Sequence, residues 1–170
     1  GRIAATSSDP SITRVLAVRA ARLAEERLND DTRAVASYRQ ALSQGDDDEI
    51  LQGLDRIYAR GNQWRDVIDV LERRSALATD ANALDALDVR IAGIKERELS
   101  DPSGALGSFR TAIERTPTNA DALAGVERLL ENPATRGDAM DLLEQSYGTL
   151  DNTQKLAWLL SLKVQAADLT

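Results

Sequence analysis

The sequence predicts an all-α protein built from stacked helix pairs, and three observations predict it. Alanine and leucine carry the apolar load while aromatics make up only 4% of the 170 residues, a bias toward the apolar residues that rank highest on the helix scale. Apolar positions recur at helical spacing, as in Leu51, Leu54, Ile57 and Tyr58, and no segment has the period-2 alternation of a strand. The chain also repeats itself. Displaced by 71 residues, "RLAEERLNDDTRAVASYRQAL" meets "GIKERELSDPSGALGSFRTAI", which puts Leu28 on Leu99, Asp30 on Asp101, Ala34 on Ala105, Tyr38 on Phe109, Arg39 on Arg110 and Ala41 on Ala112. Displaced by 72, "LQGLDRIY" meets "LAGVERLL" and "DVIDVLE" meets "DAMDLLE". Self-similarity of this kind marks a helical array.

Taken in order, residues 1–10, "GRIAATSSDP", lack periodicity and end in proline, so they read as a flexible lead-in. Helix pairs with short links are expected over roughly 11–32, 46–79, 81–116 and 119–150, about nine helices once residues 151–170 are included. Each boundary has its chemistry. "RGNQ" at 60–63 breaks one helix with glycine and asparagine, and Val67, Ile68 and Leu71 resume the pattern beyond it. Asp30 with Asp31, Ser100 with Pro102, Asn119, and Asp151 with Asn152 supply N-cap and first-turn residues. "GDDDEI" at 45–50 lacks the spacing of a calcium loop and reads instead as acids placed at a helix N-terminus. Trp64 packs at a helix start in this reading. Trp158 stands among Leu156, Leu159 and Leu160 on a terminal helix that is unusually apolar for a cap. That helix either docks on the array or meets further repeats or another subunit.

The composition narrows the function classes. A formal charge of −7 and a pI near 4.7 argue against nucleic-acid binding, which needs a basic surface. With no cysteine and no histidine, thiol chemistry, the commonest general base and the commonest transition-metal ligand are all missing. No uncharged run approaches the roughly 20 residues of a bilayer span. No pair of carboxylates is picked out by spacing, and no glycine loop is shaped for phosphate. The expectation is therefore a non-enzyme without cofactor or metal, with no direct membrane insertion. The chain opens on Gly1 rather than methionine and reads as a piece of a longer protein.

The spacing of Ala105, Phe109, Ala112 and Pro117 resembles the second-helix signature of the tetratricopeptide repeat, A-x3-F-x2-A-x4-P. Ala34, Tyr38 and Ala41 reproduce it with Asp46 in place of proline; Val67 with Leu71, and Ala139 with Leu143 and Ser146, are looser copies. The resemblance covers residues 11–150. It departs from the family in the first helices, where the tryptophan, glycine and tyrosine are mostly missing and only Gly93 stands at the glycine. Steps from Ala34 to Val67, Ala105 and Ala139 are 33, 38 and 34 residues, so the helix near 81–100 is expected to carry an extra turn or a longer lead-in.

The resemblance implies a right-handed α-solenoid of antiparallel helix pairs and a role in holding protein partners. It also implies a concave groove lined by first helices, which carries over to Arg19, Arg56, Arg90 and Arg128, with Arg60 and Arg97 one turn further and Leu16, Leu23, Leu87 and Ile94 on the same faces. Such a groove suits an acidic or C-terminal peptide, because the guanidinium fork matches carboxylates. The competing reading pairs these arginines with nearby acids such as Glu26 or Glu127 on a solvated surface. A structural alternative is self-assembly through the terminal helix.

Overall fold

The computed structural model describes residues 9–167, with side chains as far as residue 165. Most of the expected flexible lead-in, residues 1–8, lies outside the described residues. Among the described residues the secondary structure is helical: α1 (Pro10–Leu23) runs into a π-helical turn (Ala24–Leu28), followed by α2 (Asp31–Leu42), α3 (Asp48–Arg60), α4 (Trp64–Leu77), α5 (Ala81–Arg97), α6 (Pro102–Arg115), α7 (Ala120–Leu129), α8 (Arg136–Thr149) and α9 (Thr153–Ala167). The first expected pair, 11–32, ends too early. Asp30 caps the start of α2 by accepting from the Arg33 amide, and the pair continues to Leu42. Among the described residues, no helix is long and apolar enough to cross a membrane.

The helices start where short side chains satisfy their orphan amides. Asp9, Asp30, Asp47, Asp80, Asp101, Asn119 and Asn152 each accept from a backbone N–H in the first turn of the following helix. Ser100, expected as a cap, instead takes a left-handed backbone (φ 53°) that ends the preceding helix, and Asp101 does the capping. Within "GDDDEI", Asp47 caps α3 while Asp46 and Asp48 pair with Arg73 and Arg74 of α4.

The chain divides at Leu77/Ala78 into two compact units. In the first, α1 packs on α2, α2 on α3 and α3 on α4, and Ala21, Ala34, Ala41, Leu51, Leu54, Val67 and Leu71 are almost fully buried. In the second, α5 packs on α6, α6 on α7, α7 on α8 and α8 on α9. Its core gathers Ala92, Ala105, Phe109, Ala112, Val126, Leu143 and Leu159.

The sequence repeat is also a structural one. Displacing α1 and α2 by 71 lands on the first residues of α5 and α6, and displacing α3 and α4 by 72 lands on those of α7 and α8. Asn29 and Ser100, both at φ 53°, close equivalent turns, in which the amides of Asp30 and Asp101 reach back six residues to the carbonyls of Ala24 and Lys95. Two glycines are required by close approach. A Cβ at Gly53 would lie 2.6 Å from Tyr38 Cζ, and one at Gly125 would lie 2.3 Å from Phe109 Cζ. Each repeat thus seats one aromatic ring of its second helix against a bare helix backbone. Gly107 is different: a Cβ there would face open space. The 38-residue step has its source in α5, which has 17 residues against 13 in α3.

Candidate functional site

Within the second unit, α5 and α7 border an open cavity of about 600 Å³. On α5 the contributing positions are 82, 85, 86, 89, 90, 93 and 97, and on α7 they are 121, 124 and 128. Steps of three and four residues keep these positions on one face of each helix. Three of the arginines expected to grip a partner therefore meet here, namely Arg90, Arg97 and Arg128.

Their surroundings differ. Arg128 donates from Nη2 and Nε to the two carboxylate oxygens of Glu96, at 2.9 and 3.2 Å, a two-pronged pair that holds its charge in place. Arg97 folds back over Gly93, where a Cβ would come within 2.7 Å of its Nη2. It has no ion pair among the described residues. Gly93 thus leaves room for a charged side chain rather than for a neighbouring helix.

One wall of the cavity is built from a buried acid. Asp85 is 4% exposed and accepts from Arg115 at 2.5 Å, while Arg115 also donates to Asp88 at 2.8 Å. Burial by itself would raise the Asp85 pKa, but hydrogen bonds with Thr116, Arg115 and Asn119 outweigh it and hold the carboxyl below its ordinary value. Asp85 joins α5 to the end of α6 and the cap of α7, so its role is structural. Asp121 is the second acid on the cavity, leaving three arginines against two aspartates on the lining.

The remaining candidates are placed elsewhere. In the first unit, a separate cavity of about 430 Å³ includes Arg22 and Arg56 but also Glu25, Glu26 and Glu49. Arg56 is paired with Glu25 at 3.2 Å, Glu25 accepts a second bond from the Tyr38 hydroxyl at 3.0 Å, and Arg22 is paired with Glu49. Acids neutralise that cavity. Arg60 is paired with Asp31 at 2.5 Å. Arg19 is exposed on α1, and Leu23 is also exposed. Ile94 is only 6% exposed and offers a ligand almost nothing, so its place on a groove face is corrected to the interior.

The carboxylates that answer these arginines are not the expected Glu26 and Glu127. Glu25 and Glu96 hold Arg56 and Arg128, and the two pairs are copies of one another at the displacement of the sequence repeat. Glu127 instead takes Lys155 and the Tyr147 hydroxyl. The cavity residues Asn82, Asp85, Asn119 and Asp121 were not singled out as site residues. The helical spacing of 82, 86, 90, 93 and 97 was the signal that could have found the first of them.

No group of three or more acidic side chains among the described residues is arranged to hold a metal ion. No protein-family model matches the chain, and no curated protein matches it.

Proposed function

We propose that this chain is a non-catalytic protein–protein interaction module of the tetratricopeptide-repeat kind, its antiparallel helix pairs stacked as a right-handed solenoid. In this reading the α5/α7 cavity takes an acidic peptide segment. The observation that carries the proposal is Arg97, a guanidinium without an ion pair among the described residues, on the same cavity as Arg90 and Arg128. An arginine fork offers parallel donors to a carboxylate. Ala86, Val89 and Ala124 give the same cavity an apolar side for the ligand's aliphatic atoms, and its volume lies within the range of about 300–1,000 Å³ usual for ligand sites.

The test is binding of a fluorescent peptide of alternating glutamate and leucine, followed by anisotropy at low and physiological salt. Arg97→Ala removes no ion pair seen among the described residues and should weaken binding about tenfold, or ~1.4 kcal/mol. Arg56→Ala, in the other unit, should leave affinity unchanged. Added salt should weaken the complex because the contacts are partly exposed charges. Equal affinity of wild type and Arg97→Ala, or equal capture of a lysine–leucine peptide, would refute the proposal.

A further inference from the structure

We propose that the outer face of α9 (Ala157, Leu160, Ser161 and Val164) is a docking surface for an amphipathic helix with the small–aromatic–small register of α2 and α6. The inference is independent of the peptide reading of the α5/α7 cavity. It starts from the caps. Asp9, Asp80 and Asn152 each precede a helix and accept from its first-turn amides, those of Ser11, Ala83 and Lys155. They are spaced 71 and 72 residues apart, the displacements that superpose α1 to α4 on α5 to α8. By register, α9 is a third copy of the helix that opens each block.

The first two copies show what such a helix needs. The α5 positions equivalent to 157, 160, 161 and 164 are Asp85, Asp88, Val89 and Ala92. Asp85 and Asp88 both hold Arg115 of α6, Ala92 is fully buried, and Val89 packs against the core. On α1 the same positions are Arg14, Ala17, Val18 and Ala21, of which Ala17 and Ala21 are buried and α1 packs on α2. In both copies the second helix packs on this helix: Arg115 of α6 meets the face at Asp85 and Asp88, and α2 packs on α1. Arg14 reaches Asp47 at the start of α3, and Asp85 and Val89 also border the α5/α7 cavity. On α9 the opposite side is satisfied, since Leu159 is 0% exposed and Leu156 and Leu162 pack on the core. Leu160 and Val164 are 43% and 61% exposed.

Continuity with the α1·α2 and α5·α6 interfaces therefore specifies the occupant as a helix of the α6 kind, and the chemistry of the face refines it. Where α5 presents two aspartates to Arg115, α9 presents Ala157 and Leu160. The occupant consequently carries an aliphatic residue at the position of Arg115, with small residues at those of Ala105 and Ala112. Burying Leu160 and Val164 is what drives the docking.

The experiment appends a copy of residues 99–117, with Arg115→Leu, after Thr170, so that the added helix follows α9 in the register in which α6 follows α5. Tethering in cis supplies a high effective concentration. Amide exchange in α9 should slow at least about tenfold relative to the 170-residue chain, helicity should rise by the added segment, and methyl signals of Leu160 and Val164 should shift. Leu160→Glu with Val164→Glu, both at exposed positions, should abolish all three changes in the extended chain without unfolding the rest. An added segment that stays non-helical, or slowed exchange that survives the double glutamate change, would overturn the inference. So would concentration-dependent dimerisation of the 170-residue chain that is lost in Leu160→Glu, because the occupant would then be a second copy of the chain.

Discussion

Gly125→Ala and Gly107→Ala are the same chemical change in neighbouring helices, and the packing gives them opposite signs. At Gly125 the new Cβ would lie 2.3 Å from Cζ and 2.4 Å from Cε1 of Phe109, a ring that is 1% exposed. Carbons pack at about 3.5–4.0 Å, so the ring or α7 has to yield by about 1.2 Å or more. Overpacking of this severity costs ~3 kcal/mol, and alanine's better helix propensity returns ~1 kcal/mol. The net loss is ~2 kcal/mol, which lowers Tm by roughly 4–8 °C for a chain of this size.

At Gly107 nothing lies within 4 Å of the new methyl group, so only propensity and unfolded-chain entropy act, and stability rises by ~0.5–1 kcal/mol. Thermal melts followed by circular dichroism compare the two directly. A second variant, Gly125→Ala with Phe109→Leu, isolates the contact, because the paired loss should be smaller than the sum of the single losses. A Gly125→Ala protein as stable as wild type, or strict additivity in the double variant, would refute the claim that the glycine exists to seat the ring.

Two further changes probe the buried polar groups. Asp85→Asn removes the charge facing Arg115 and should cost ~1.5–3 kcal/mol in urea unfolding. Since the folded Asp85 pKa lies below its unfolded value, its contribution is present above about pH 4 and lost as pH falls further. The wild-type minus variant difference should therefore shrink in acid; a difference independent of pH would count against the charge. Tyr38→Phe should cost about 1 kcal/mol, because Phe109 does the same packing in the other repeat without a hydroxyl while Tyr38 also bonds the nearly buried Glu25. Burial first, then the bond to Glu25, push the Tyr38 pKa up to about 12. Its stabilisation is accordingly present below about pH 10 and fades as pH rises from there through the folded value of about 12. An alkaline absorbance titration should show one late phenol missing in Tyr38→Phe, and an unchanged curve would be inconsistent with this placement.

Local and repeated features were legible in the sequence because they depend on neighbours along the chain. Caps such as Asp30 and Asn119, breaks such as "RGNQ", and the Ala–aromatic–Ala spacing all act within a turn or two of helix, and duplication printed them twice. The long α5 was legible as well, from one over-long step between alanines. The destination of charged side chains was not. Arg56, Arg60 and Arg128 looked equivalent to Arg97, yet the first three reach acids that lie 29 to 32 residues away in sequence, a distance at which no local pattern reports contact.

Ile94 shows the same limit in reverse, since its helical face alone does not say whether another element covers it. The sequence by itself determined the helices, their caps and their period, because backbone propensity and capping are short-range. Only the tertiary structure decided which glycines seat an aromatic ring, which arginines are neutralised, and that Arg97 stands without an ion pair among the described residues while Leu160 and Val164 stand exposed. Those outcomes depend on which helix faces come to lie against one another, and that is a property of packing rather than of any segment read alone.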